Sequence, residues 1–477
     1  MWKRTLAWWS VGLCLLAASA SVGTEAVPLT LEGAIEQALE HNREVAKGAL
    51  DVQGYRLAQQ QAQESVRGFQ VVPEGAAGVG STSEDWRTGL RAEATGPAGT
   101  RVALAAAIRS IEVDQQADIR RGEVRAEISQ PLFRQFGSLV RNEPVVAAGE
   151  TLLAVRRAWE RDRSSLVLRV VDLYEGLIYR RRQIDSDEAF AARMEKLWAL
   201  ADAREHQGRA TRTEVLRMDF QRGEAAARLE TSRSRLEIEF QEFANLLGLP
   251  LETVFRLVPP PLLDLDLQVP DRALAVALSE RPDYAQALHD IATGERQVRL
   301  ARRNLLPDLR LSARQTVYGE GEEWRDAGRL DQDDWFIGLV ADMNLNQRET
   351  RVALARSQLD TEGRRQAADI VRHRLALEVN SAQAAYRRAR AELGLAQRNA
   401  HLAVNRAELA RVLFEAGRGS GNSVSDAEAD LIGAELAELA AWQEASVSAY
   451  RLLHVLGTLL PTPRDLLRTG EGIPHEE

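Results

Sequence analysis

The chain has 477 residues, 45% hydrophobic and 27% charged, with a formal net charge of -9. That composition excludes a disordered chain and leaves room for two to four ordinary domains or one large elongated one. The acidic balance argues against nucleic acid as a partner, and a single cysteine excludes an internal disulfide framework.

The chain opens "MWKRTLAWWSVGLCLLAASASVG". Lys3 and Arg4 precede an apolar run from Leu6 to Ala18, and small residues close it at Ala18-Ser19-Ala20. This predicts a signal peptide over residues 1–20, with an apolar run too short to span a bilayer. Cys14 lies inside that run, and Leu13 before it is too bulky for a lipoprotein cleavage site, so the exported chain is expected to carry no thiol, disulfide or acyl anchor. Loss of Lys3 and Arg4 takes the net charge from -9 to about -11. No later run reaches 18 apolar residues, so entry into a membrane would require strands.

Beyond the leader the sequence repeats itself. "LTLEGAIEQALEHNREV" is echoed by "PDRALAVALSERPDYAQA", and the segments closing each half end in Leu-Gly at Gly248 and Gly457. Prolines are missing from 145–249 and from 308–460, which leaves long helices free to run. The first repeat is therefore placed at 29–256, with helices at 29–66, 140–207 and 212–247 and strands within 69–135. A proline-rich linker, "LVPPPLLDLDLQVPD", covers 257–271. The second repeat, 272–460, has helices at 272–304, 347–416 and 421–459 and strands at 307–318 and 334–345, and a tail follows at 461–477.

Ala389, Leu393, Ala396, Ala400, Ala403, Ala407, Ala410 and Phe414 form a heptad stripe, with Leu395, Leu402 and Leu409 about 130° round the helix. Two stripes predict neighbours on both sides, in a curved wall or in a soluble bundle. Each long helix, of about 68 to 70 residues or 100 Å, matches its two short partners laid end to end. Gly208 in "REHQGRATRTEVL" and Gly417 in "LFEAGRGSGNSVSDAE" then mark chain reversals at the far tip.

Period-2 alternation appears in "GEVRAEISQPLF", "PDLRLSARQTVY" and "DWFIGLVADMNL", each with apolar residues on one face and mostly charged or polar ones on the other. Strands of about 10 to 12 residues suffice to cross a bilayer when tilted, and the alternation suits a membrane barrel that several chains must close together.

In this order and in duplicate, "LTLEGAIEQALEHN", "ALAVALSERPDY", "ARRNLLPDLRLSA", "ISQPLFRQFG", the tip glycines and the closing Leu-Gly resemble the TolC family of outer-membrane efflux proteins over roughly 29–460. The resemblance implies a mainly α fold with membrane β: duplicated helical hairpins form an α-barrel below a transmembrane β-barrel, built from a homotrimer with twelve strands. It implies an exit duct in the outer membrane, extending into the periplasm, for a tripartite efflux pump or type I secretion system. Such a duct is a passive conduit that meets outer-membrane lipid, a periplasmic adaptor protein and an inner-membrane transporter. By the same resemblance, Glu214, Asp426 and Ser423 are placed at the periplasmic aperture, with Ser423 standing where the family usually has an acid. Carboxylate rings there would favour cations; the plain alternative is solvent-facing residues near a helix start. The adaptor-docking tips are expected at Gly208, Arg209, Ala210 and Thr211 and at Gly417, Arg418, Gly419 and Ser420.

Two departures stand out. Residues 86–110 are extra, with strand-like alternation at Val102, Leu104, Ala106 and Ile108, and fit either an added hairpin or an extracellular flap. Arg43 stands where the family often has the proline kept as Pro282. The seven histidines are scattered, and no metal, phosphate-loop or nucleophile motif appears, so no enzyme and no cofactor are expected. The competing class is a soluble periplasmic coiled-coil or adaptor protein.

Overall fold

The computed structural model describes residues 27–460, apart from 80–82, 114–118, 209, 266–269 and 417. The expected signal peptide and the tail at 461–477 lie outside the described residues, as do Arg209 and Gly417. In chain order the elements are β1 (Val27–Leu29), α1 (Leu31–His41), α2 (Arg43–Arg67), β2 (Phe69–Val79), β3 (Ser83–Thr95), β4 (Arg101–Val113) and β5 (Ile119–Pro131). Then come α3 (Ser138–Arg141), α4 (Glu143–His206), α5 (Arg212–Leu246), β6 (Phe255–Leu257), α6 (Pro270–Glu280) and α7 (Pro282–Arg303). The chain ends with β7 (Asp308–Gly321), α8 (Trp324–Ala327), β8 (Gln332–Asp342), α9 (Arg348–Glu415) and α10 (Gly421–Leu456).

The helices expected at 29–66 and 272–304 are each broken in two. Asn42 ends α1 and caps α2: its Oδ1 accepts the N–H groups of Glu44 at 2.8 Å and Val45 at 3.2 Å. A residue engaged in that way adopts extended backbone, here ψ 129°, and interrupts the helix. In the second repeat Pro282 imposes the same break on Arg281, at ψ 120°. Asn42 thus does locally what Pro282 does, although the sequence around Arg43 has no proline. Pro144 similarly separates the short α3 from α4 in the segment expected as one helix at 140–207, since it lacks an N–H and crowds the carbonyl four residues earlier.

Each break receives the glycine that closes its own repeat. Gly248, at φ +74°, approaches the His41 carbonyl so closely that an added Cβ would lie 2.3 Å from its oxygen. Gly457, at φ +78°, sits against Glu280, with the nearest backbone atom 3.1 Å from such a Cβ. Both the left-handed backbone and the close approach require glycine.

The start of the proline-rich linker is ordered structure rather than a free connection. β6 pairs in parallel with β1. The Tyr174 hydroxyl bridges the carbonyls of Leu29 and Val258, at 2.8 and 2.7 Å, and accepts the Val258 N–H at 3.1 Å. Burial pushes that phenol up to about 12, which keeps it a donor. Tyr386 repeats the device, bonding the Leu263 carbonyl and the Leu265 N–H at 3.1 Å each. Around Tyr174 the largest apolar core gathers Leu166, Val170, Leu177, Phe243 and Leu247, at the level where α1, α4 and α5 meet.

α4, with 64 residues, and α9, with 68, are rods of about 96 and 102 Å at 1.5 Å per residue. Below the waist the lateral order is α5, α4, α10, α9; above it α2 lies beside α4, α4 meets α7, and α7 lies beside α9. The heptad stripe from Ala389 to Phe414 faces inward, with Ala389, Leu393, Ala400, Ala407 and Phe414 buried, whereas Leu395, Leu402 and Leu409 stay exposed.

At the other end stands one six-stranded antiparallel sheet in the order β2-β3-β4-β5-β7-β8. The segment 86–110 is strand within this sheet: β3 and β4 pair over thirteen residues, from Ser83↔Val113 to Thr95↔Arg101. The sheet has six strands, where the resemblance implies four per chain. Among the described residues no helix is long and apolar enough to cross a membrane.

Candidate channel surfaces

The register of the sheet sorts its residues by face. Leu90 lies opposite Pro73 and Ala106, Ala106 opposite Val124, Val124 opposite Val317. Leu104, Ile128, Ile337, Leu339 and Trp335 extend the same apolar face, and all are exposed in the single chain. The opposite face carries charges tied across strands: Arg91 to Glu74 at 3.0 Å, Arg109 to Asp85 at 2.7 Å, Arg121 to Glu320 at 3.5 Å and Arg314 to Asp334 at 3.8 Å. An apolar outside over a polar, ion-paired inside is the pattern a membrane barrel needs.

The tip is built from two caps. Gly208 has φ +69°, and an added Cβ there would meet nothing within 4 Å, so it reverses the chain by backbone freedom alone. Thr211 caps α5 by accepting the Glu214 N–H at 3.3 Å, while Ala210 is half-buried beside it. At the second tip the N–H groups of Arg418 and Gly419 both reach the Leu413 carbonyl at 2.9 Å. Gly419 lies so close to this turn that a Cβ would fall 3.0 Å from the Phe414 nitrogen. Ser420 then caps α10 by accepting the Ser423 N–H at 3.2 Å, and the hydroxyls of Ser420 and Ser423 are 2.9 Å apart.

Of the residues expected at the aperture, Asp426 and Ser423 are exposed and Glu214 is half-buried. Glu214 turns toward the second tip: a Cβ on Gly421 would lie 2.6 Å from its Oε1. Its carboxylate thus faces the first residue of α10, where a helix N-terminus favours negative charge. The Ser423 hydroxyl is engaged within its own cap.

Sequence reading overlooked the polar groups that lock the repeats together above this tip. Glu428 is wholly buried, with Oε2 2.6 Å from Arg193 Nε and Oε1 3.1 Å from Arg411 Nε. Arg217 bonds Asn422, Gln221 bonds Ser425, and Arg204 donates to the Phe414 carbonyl at 2.9 Å while lying over the Phe414 ring. The available signal was an acid inside the apolar stripe Val424, Ala427, Leu431. On the last turn of α4, Asp202, Glu205 and His206 bring ligand-type atoms within 4.8 Å of one another. Arg212 pairs with Glu205 at 3.6 Å, and the Asp202 carbonyl holds His206 Nδ1 at 2.9 Å.

Long paired helices below a two-faced antiparallel sheet define the TolC-like class of outer-membrane channel folds. The chain matches the outer membrane efflux protein family over residues 273–458. It is 27% identical over 347 residues to the outer membrane efflux protein BepC of Brucella suis biovar 1 (strain 1330), covering 71% of this chain and 72% of that one. The fold is similar to the Campylobacter jejuni CmeC outer membrane channel, with TM-score 0.72 and 14% identity over 92% of this chain and 88% of that chain. It is also similar to the outer-membrane channel OprN, with TM-score 0.71 and 18% identity over 90% of each chain.

Proposed function

We propose that three copies of the chain close into a hollow exit duct that passes solutes across periplasm and outer membrane without a catalytic step of its own. One observation carries this reading: both lateral edges of the chain are unfinished along its whole length. One edge is β2, α2 and α5, where Leu57 is 65% and Phe220 66% exposed. The other is β8 and α9, where Leu377 is 71% and Leu402 65% exposed. Two different complementary edges on one chain make a head-to-tail contact that is satisfied by a ring. Three is the copy number that the resemblance to the TolC family implies.

The apolar sheet face then meets outer-membrane lipid, and the tips at Gly208, Ala210, Thr211, Arg418, Gly419 and Ser420, with Arg209 and Gly417, face a periplasmic adaptor. That adaptor links the duct to an inner-membrane transporter, as in an efflux pump or type I secretion system, and the transporter supplies the energy. Glu214 and Asp426 are assigned to the mouth, where threefold repetition would turn each into a ring that favours cations. Membrane fractionation tests the duct: recovery in the outer membrane is expected, and recovery wholly in soluble periplasm would reject it. Single-channel recording of Glu214→Ala with Asp426→Ala tests the mouth, since unchanged cation selectivity would remove both residues from it.

A further inference from the structure

We infer that β3 and β4 are wall strands of the assembled channel, so that the barrel has eighteen strands, with β2 of one copy paired to β8 of the next. The inference rests on the three-copy ring proposed above and deepens it. Three sheets of six strands give eighteen, and barrel diameter grows roughly linearly with strand number, so this exit is about one and a half times as wide as a twelve-stranded one.

Three independent features place the added pair in the wall. First, it obeys the same two-faced pattern as its neighbours. Leu90, Leu104 and Ile108 continue the apolar face, and Arg91 with Glu74 and Arg109 with Asp85 continue the ion-paired one. A flap lying in water on both sides has no need of a lipid face.

Second, the base of the pair is clamped into the junction between sheet and helices. The Thr95 N–H bonds the Gly68 carbonyl at 3.1 Å, and the Gly137 N–H bonds the Ala98 carbonyl at 3.1 Å. Gly99, at φ +89°, lies so close to the strand end that a Cβ would be 3.0 Å from Pro131 Cγ. Thr100 Oγ1 bonds the Gln130 side chain. These contacts fix the turn between β3 and β4 to the wall on both sides.

Third, the two edges left over are matched. β2 and β8 are each eleven residues long. β2 runs away from the helices and β8 returns to them, so a neighbouring copy presents an antiparallel partner. Unpaired edges cannot stand in a bilayer, and closure removes both. A polar, ion-paired wall of this width suits bulky hydrated solutes rather than small apolar ones.

Strand number can be counted directly by electron cryo-microscopy of the full chain in detergent. Eighteen strands around a threefold axis are expected. A threefold ring of twelve strands, with β3 and β4 folded aside, would overturn the inference while sparing the duct; a monomer would overturn both. Disulfide trapping gives a second readout in a chain whose sole cysteine is Cys14, within the expected signal peptide. Val72→Cys or Ala76→Cys paired with Gly338→Cys or Val340→Cys should yield an oxidised ladder ending at the trimer. Trapping to β8 from Ala105→Cys on β4 instead would mean that β4 is the edge, and would refute it. Removal of 83–113 keeps the up-and-down order of β2 and β5, and is expected to lower the size limit for neutral polymers entering from the sheet end; an unchanged limit counts against the wide exit.

Discussion

Arg193 on α4 donates to Glu428 on α10 at 2.6 Å, an ion pair that joins the two repeats through a wholly buried carboxylate. Arg411 on α9 approaches the other carboxylate oxygen at 3.1 Å, so one acid holds three helices. Removing it strands two guanidinium groups. Glu428→Ala is expected to cost roughly 3 kcal/mol, the low end for breaking a buried pair, because Arg411 remains 39% exposed. Thermal unfolding measures it, and Arg193→Met with Glu428→Met should cost less than the sum of the single changes. Strict additivity would show that the two residues are not coupled.

The glycines separate two physical costs. Gly208→Ala introduces only a left-handed alanine at an open turn, a penalty of about 1 kcal/mol. Gly248→Ala adds a clash, since its Cβ would lie 2.3 Å from the His41 carbonyl oxygen. It should destabilise by several times as much, as read from denaturant midpoints. Equal effects would contradict the packing of that turn onto the α1–α2 break.

Tyr174→Phe removes the hydroxyl that ties β1 to the start of the linker and leaves the part-buried carbonyls of Leu29 and Val258 with one partner fewer. A loss of about 1–3 kcal/mol is expected. Hydrogen exchange at the Val258 amide should rise together with it. Tyr386→Phe should do the same at Leu265 and leave Val258 unaffected.

His454 gives a pH signature. Burial, aided by the positive charge of Arg281, lowers its pKa below the ordinary imidazole value, and Ser164 Oγ is 2.8 Å from Nδ1. Arg161, Arg163, Arg281, Glu160, Glu280 and Asp283 line the same cleft. Because the unfolded chain takes up the proton first, stability falls as pH drops below about 6.5 and on through the lower folded value. The difference in melting temperature between wild type and His454→Gln should therefore shrink or reverse between pH 7.5 and pH 5.5. A constant difference would mean that the ring titrates normally.

Much of the plan was legible in the sequence because it rests on long-range regularities. Proline spacing and the heptad from Ala389 to Phe414 report helix length and facing, and alternation in β7 and β8 reports sheet faces. The break at Asn42 was missed because an asparagine that caps a helix looks, in sequence, like one in its interior; only its bonds to Glu44 and Val45 show the difference. The β3–β4 pair showed its alternation, but pairing is non-local, and its place beside β2 and β5 became legible only with the register and with the turn at Gly99 seen against Pro131. The aperture residues Glu214, Ser423 and Asp426 were placed by resemblance, whereas the lock at Glu428 depends on three helices converging, which no local pattern encodes.

An exit duct requires copies of the chain to join edge to edge around a lumen. Electron cryo-microscopy of the purified protein in detergent examines that most directly. The expected result is a threefold tube, apolar outside and charged inside at one end, with α9 of each copy against α5 and α2 of the next. A compact monomer with Leu402 and Phe220 facing solvent and no enclosed channel would contradict it.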